Sequence, residues 1–190
     1  MKKILYIFLS VFLVLSCEEN KETEKTIKPV QTENSDNAMN QQVFVSEWFP
    51  VSVSFPKGWE AVEDTTLSMI YIMTPTDESD NFQEMVNIVV GGTNGKELDA
   101  FFDGNLKMIQ GMFEELNQTE QPSYQIINGV KFKKVRYNYL IEGLPLTAQL
   151  YVTIKDDLSY IINCSALQNT FDEFEEGFSS IVSSFSISQL

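Results

Sequence analysis

Tyr124-Gln125-Ile126-Ile127-Asn128-Gly129-Val130-Lys131-Phe132-Lys133-Lys134-Val135-Arg136-Tyr137-Asn138-Tyr139-Leu140-Ile141 is the stretch that decides the fold. Asn-Gly between two runs of β-branched and aromatic residues is the strongest short hairpin signal, because both positions accept the left-handed backbone of a two-residue turn. Strands are therefore expected over 124–127 and 130–141. Glu142-Gly143 turns the chain again, and Leu146, Ala148, Leu150, Val152 and Ile154 then alternate with period two. Lys155-Asp156-Asp157 makes a third turn and 158–166 runs back, which completes a four-stranded antiparallel meander. Within 130–141 the apolar parity changes between Phe132 and Val135, and that change predicts a β-bulge near Lys133-Lys134.

Upstream, Val51-Ser52-Val53-Ser54-Phe55 alternates as a half-buried strand, Pro56-Lys57-Gly58 turns, and 59–62 starts its partner. Two further apolar runs occupy 69–73 and 85–90. A helix is predicted over 96–116, where Leu98, Phe101, Phe102, Leu106, Ile109, Met112, Phe113 and Leu116 share a face. Asn94 with Glu97 has the spacing of a capping box. Thr170 with Glu173 repeats that spacing ahead of a second helix, whose Phe171, Phe174, Phe178, Ile181, Val182 and Phe185 form one stripe. Such Met and Phe stripes read as core. Two amphipathic helices around a meander define an α+β domain, each helix covering sheet surface that alternation leaves apolar.

The amino terminus carries an address. Met1-Lys2-Lys3 is followed by an apolar run over 4–15 broken only by Ser10, the length of a signal peptide and short of a membrane span. Val14-Leu15-Ser16-Cys17 resembles the bacterial lipobox, which implies removal of 1–16 and acyl chains on Cys17. Two or three chains hold a protein stably at a membrane where one would not. The alternative is an ordinary secretory peptide that happens to contain a cysteine. The acidic Glu18-Glu19-Asn20-Lys21-Glu22 resembles the surface-export signals of Bacteroidota lipoproteins, which favours the outer membrane. Residues 17–42 are polar and almost free of apolar side chains, so they read as the lipidated cysteine and a disordered spacer, reaching roughly 25–30 Å. The folded domain is expected over 43–190.

The formal net charge is −14, of which residues 43–190 account for 21 acids and eight bases. That acidity excludes nucleic acid as a partner, because phosphate binding needs a basic footprint. The chain has no histidine, which removes Ser-His-Asp triads, Cys-His dyads and His-ligated metals. With Cys17 lipidated, Cys164 is the one thiol of the domain and reads as a small buried apolar residue. No cofactor, catalytic residue or metal ligand is indicated, and an enzyme is not expected.

Several of these segments resemble a known family. Phe55-Pro56-Lys57-Gly58-Trp59, then Asn87-Ile88-Val89-Val90 before a long helix, then Asn128-Gly129, then Ile181-Val182-Ser183-Ser184-Phe185 follow the order found in PsbP-like domains, over about residues 44–188. The resemblance implies an α/β/α sandwich with a central antiparallel sheet. It also implies kinship with photosystem II extrinsic proteins, a transport factor for the GTPase Ran, and envelope lipoproteins similar to DcrB. These share no reaction, so the fold alone carries no activity.

Lys131, Lys133, Lys134 and Arg136 supply half of the domain's bases within six positions. They read either as a docking patch for an anionic group or partner, with Arg136 as a bidentate contact, or as lysine protection of an edge strand. Thr76-Asp77-Glu78-Ser79-Asp80-Asn81 offers oxygen ligands but lacks the spacing of a calcium loop, and reads as a solvated tip. The acidic clusters at Glu114-Glu115, Asp156-Asp157 and 172–176 read as solvated charge. The expected function is a lipid-anchored envelope protein whose single domain binds or scaffolds an envelope protein. The alternative is a module binding a small ligand or metal ion between sheet and helix.

Overall fold

The computed structural model describes residues 41–75, 82–113 and 115–188. The expectations placed on Cys17, the signal peptide, most of the spacer, the 76–81 loop and Glu114 fall outside them. In chain order the elements are β1 Gln41–Val45, β2 Val51–Pro56, β3 Glu60–Asp64, β4 Met69–Met73 and β5 Met85–Gly92. Helix α1 covers Leu98–Met112, and β6 Asn117–Gln118, β7 Ser123–Ile127, β8 Val130–Ile141, β9 Leu144–Lys155 and β10 Leu158–Leu167 follow. Helix α2 spans Phe171–Ser184 and β11 Ser186–Ile187.

The main sheet runs β3-β4-β5-β10-β9-β8, with β6 and β7 both paired to the outer side of β8. Every pairing is antiparallel. A small sheet, β1-β2-β11, lies with α2 on one face, and α1 lies on the other. This is the α/β/α sandwich around an antiparallel sheet. Strand β9 shows why it forms: Leu146, Ala148, Leu150 and Val152 pack under α1, while Tyr151 between them faces the α2 layer. The second parity also holds the buried polar Thr147, Gln149 and Thr153, and the two threonine hydroxyls are satisfied by Asn138 and the Lys131 carbonyl.

The bulge expected at Lys133-Lys134 is absent. Lys133, Lys134 and Val135 pair one-to-one with Val152, Tyr151 and Leu150, and the β7 pairing continues without interruption to Ser123. The parity change has another cause. Phe132 enters the α2-side core, where it meets Phe185, and Val135, Tyr137 and Tyr139 enter the α1-side core. The helices cover opposite faces at different lengths of one regular strand.

Neither capping box forms. Asn94 and Gly95 take left-handed backbone (φ 51° and 71°) and make a turn, so α1 starts at Leu98 behind Glu97. At its far end the chain leaves the helix after Met112. Phe113 then packs at a tilt against Tyr139, ring centres 4.7 Å apart, so the helix is shorter than 96–116. Thr170 does precede α2, but its helical backbone (ψ −4°) turns the hydroxyl back to the Leu167 carbonyl at 3.4 Å instead of toward Glu173.

The Phe-Pro-x-x-Trp segment fastens the small sheet to α2. Phe55 is buried in the core, and Trp59 lies edge-on against Phe178 at 6.0 Å and Phe174 at 6.4 Å. Gly177 sits between those two helix positions, and a Cβ there would stand 3.7 Å from the Trp59 ring.

Candidate functional site

The four basic residues of β8 do not form one patch, because strand alternation divides them between opposite faces. Lys133 points to α1 and lies 3.1 Å from both Asp99 and Asp103, over the Phe102 ring. Burial works against its ammonium, yet the hydrogen bonds to Asp99 and Asp103 outweigh that and raise its pKa. Asp99 also accepts the Tyr124 hydroxyl at 2.5 Å, and that bond, with the one from Lys133, lowers its pKa. Lys131 is exposed, its ammonium 3.8 Å from the Tyr124 ring centre.

Arg136 points to the other face. It pairs with Glu175 of α2, lies 3.4 Å from Glu120 and covers the Phe171 ring. Lys134 leans toward Tyr151 on that side. Arg136 and Lys133 therefore fasten the two helices to the sheet from opposite sides. Edge protection is not their role either, since β8 is flanked by β9 on one side and by β6 and β7 on the other.

The arrangement most suited to recognition is the β1–β2 connection, 46–50. Trp48 is 66% exposed, and Val45, three residues earlier, is 56% exposed. An exposed apolar side chain is ordinary in itself. Here the backbone beneath it is fixed. The Ser46 hydroxyl accepts the amides of Trp48 at 3.1 Å and Phe49 at 2.7 Å and donates its own proton to the Glu63 carboxyl. The Ser46 amide reaches the Val51 carbonyl at 3.0 Å, and Ser188 of the carboxyl end bonds the Pro50 carbonyl at 3.0 Å. Phe49 packs inward on the core while Trp48 points out. An aromatic held this way loses little further entropy when a partner covers it.

Glu63 is the foundation of that loop. It is 3% exposed, and its Oε2 has no hydrogen-bond partner. Burial raises its pKa against the opposing hydrogen bonds from Ser46 and the Glu47 amide. Neither Trp48 nor Glu63 stands out in the sequence by composition. The usable signals were the parity of Ala61 and Glu63, which puts a carboxylate on the inward face of β3, and a serine two and three residues ahead of an aromatic pair.

Elsewhere, Tyr124 and Ile126 of β7 expose apolar surface at the end of the sheet away from β3. A shallow depression along α2 is lined by Asp172, Glu175, Glu176, Ser179, Ser180 and Ser183. Cys164 is fully buried, and burial pushes its thiol pKa up, away from reactivity. Among the described residues no three His, Cys, Asp or Glu side chains converge as a metal set, and no helix is long and apolar enough to cross a membrane.

No family model and no curated protein matches the sequence. Solved structures do match. The domain is similar to LpqN of Mycobacterium tuberculosis, a protein involved in cell envelope biogenesis, at TM-score 0.62 and 13% identity over 78% of this chain and 92% of that one. It is similar to the cyanobacterial PsbP of Synechocystis at TM-score 0.56 and 11% identity, over 83% and 98%. It also resembles the Ran-binding protein Mog1p of Saccharomyces cerevisiae, at 0.55 and 8%, over 78% and 96%. At such identities the likeness is one of fold, and the fold is the PsbP-like α+β sandwich.

Proposed function

We propose that this chain is an envelope lipoprotein, held at the membrane by acyl chains on Cys17, whose PsbP-like domain binds a partner protein through the Trp48 loop. The observation that carries the reading is Trp48 itself, two-thirds in water on a backbone fixed from beneath by Ser46 and Glu63. Tryptophan is enriched at the centres of protein interfaces because it supplies a large rigid surface at low entropic cost. The partner suited to it has an apolar pocket with a basic rim, since the domain carries 21 acids against eight bases and Glu47 adjoins Trp48. The lipobox-like sequence supports the membrane attachment, and the envelope role of LpqN and the Ran-binding of Mog1p are compatible with a binding module of this fold.

Two substitutions test the two halves. Cys17→Ala releases the protein from the membrane fraction and abolishes labelling by a lipid precursor; unchanged fractionation and labelling contradict the lipid assignment. Trp48→Ala removes the envelope proteins enriched by proximity labelling while leaving Tm in place; an unchanged set contradicts the docking assignment.

A further inference from the structure

We propose that Glu63 is a proton-operated latch on the Trp48 loop, closed while the carboxyl is a neutral acid and loosened when it ionises. The carboxyl lies on the inward parity of β3, opposite the fully buried Ile70 of β4. Oε1 accepts the Ser46 hydroxyl, the Glu47 amide also supports the carboxyl, and Oε2 has no hydrogen-bond partner. The ion pairs among the described residues join Lys133 and Arg136 to other carboxylates, so among those residues no cation pairs with Glu63. The charge that acts on it is the like charge of Glu47, in the loop itself. Glu60 and Asp64 flank it on β3 with the opposite parity, toward Met73 and Met69.

With the proton on Oε2, Oε1 still accepts from Ser46 and the latch keeps its bonds. When the proton leaves for solvent, a negative charge stays in a dry site with one orphaned oxygen, a costly state unless water reaches it. The burial that opposes ionisation prevails over the local hydrogen bonds. Strand β3 is clamped by five register pairs with β4. The loop has no ladder of its own; apart from the Ser46 side chain it is held by a few backbone bonds, the Ser46 amide to the Val51 carbonyl, the Val51 amide to the Phe49 carbonyl and the Ser188 amide to the Pro50 carbonyl. Water therefore reaches Oε2 by movement of 46–50, and the Ser46 bonds to Trp48 and Phe49 move with it.

This inference rests on the docking reading only for its biological use, and its test needs no partner, so the two fail separately. The probe is 19F NMR of the full chain carrying 5-fluorotryptophan, between about pH 4 and pH 8, with the Trp48 signal assigned from Trp48→Phe. The expected result is one titration of the Trp48 resonance, with a midpoint above the ordinary glutamate value of 4.5. Glu63→Gln abolishes that titration, and Ser46→Ala holds the resonance at its high-pH position throughout. A wild-type Trp48 resonance that does not change with pH overturns the proposal, as does a titration that persists in Glu63→Gln. Should Glu63→Gln fail to fold, the 13C titration of the Glu63 carboxyl in the wild type decides: a midpoint at or below 4.5 overturns it.

Discussion

Ser46 and Glu63 stand 17 residues apart in the chain and share one hydrogen bond, in which the serine hydroxyl donates to the buried carboxyl. Through the same oxygen Ser46 accepts two amides of the loop that presents Trp48. A core group and an exposed aromatic are thus joined by one side chain.

Glu63 should make stability fall as pH rises. Its pKa is higher in the folded state than in the unfolded one, so the folded protein binds the proton more tightly. The stabilisation is complete below the ordinary value of 4.5 and is lost as pH climbs through the raised folded value. Thermal melts across that window should show Tm declining in the wild type, and Glu63→Gln should flatten that part of the profile. An identical profile in both proteins contradicts the burial argument.

Asp99 titrates in the opposite sense. The Tyr124 hydroxyl and Lys133 hold its carboxyl below the usual aspartate range. Its contribution is present above the unfolded pKa and is lost as pH falls through the lowered one. Tyr124→Phe and Lys133→Met should each raise the Asp99 pKa in a side-chain NMR titration. Both carboxylates beside Lys133 are more than 60% exposed, so either variant should fold. An unmoved Asp99 would show the contacts to be transient in solution.

Arg136 and Phe178 both fasten α2, with different weights. Phe178 is 2% exposed, and its truncation to Ala should cost about 3–5 kcal/mol in denaturant melts. Arg136 pairs with two half-exposed glutamates and lies over Phe171, so Arg136→Ala should cost about 1 kcal/mol, from lost stem packing and weak ion pairs. The reverse order would mean that the electrostatic clamp dominates the apolar one.

Gly177 offers a gain. It lies inside α2, where glycine is about 1 kcal/mol less favourable than alanine. The added Cβ would meet Trp59 at ordinary contact distance. Gly177→Ala should raise stability by about 0.5–1 kcal/mol, and a loss would show that Trp59 cannot give way.

The meander was legible because its turn chemistry is strong. Asn128-Gly129 and Glu142-Gly143 adopt the left-handed pairs that their hairpins require, and 130–141 matches β8 end to end. Strands β6 and β11 have two residues each, too short for any periodic signal. The bulge misled because a parity change has two physical causes, an inserted residue or a change of covered face, and one sequence does not separate them. Lys133 and Arg136 looked like free charge for a related reason: their partners, Asp99, Asp103, Glu120 and Glu175, are distant in sequence and come together only through tertiary packing. Trp48 and Glu63 were invisible as a pair because a single serine side chain joins the β1–β2 connection to strand β3.

Docking through the Trp48 loop is open to site-specific photo-crosslinking in cells. A photoreactive phenylalanine replaces Trp48 in one variant and Asp172, on the exposed side of α2, in another. Position 48 should give a discrete crosslinked product with an envelope protein, absent from position 172 and lost when Val45→Asp is added. No product from position 48, or the same products from both positions, would contradict it.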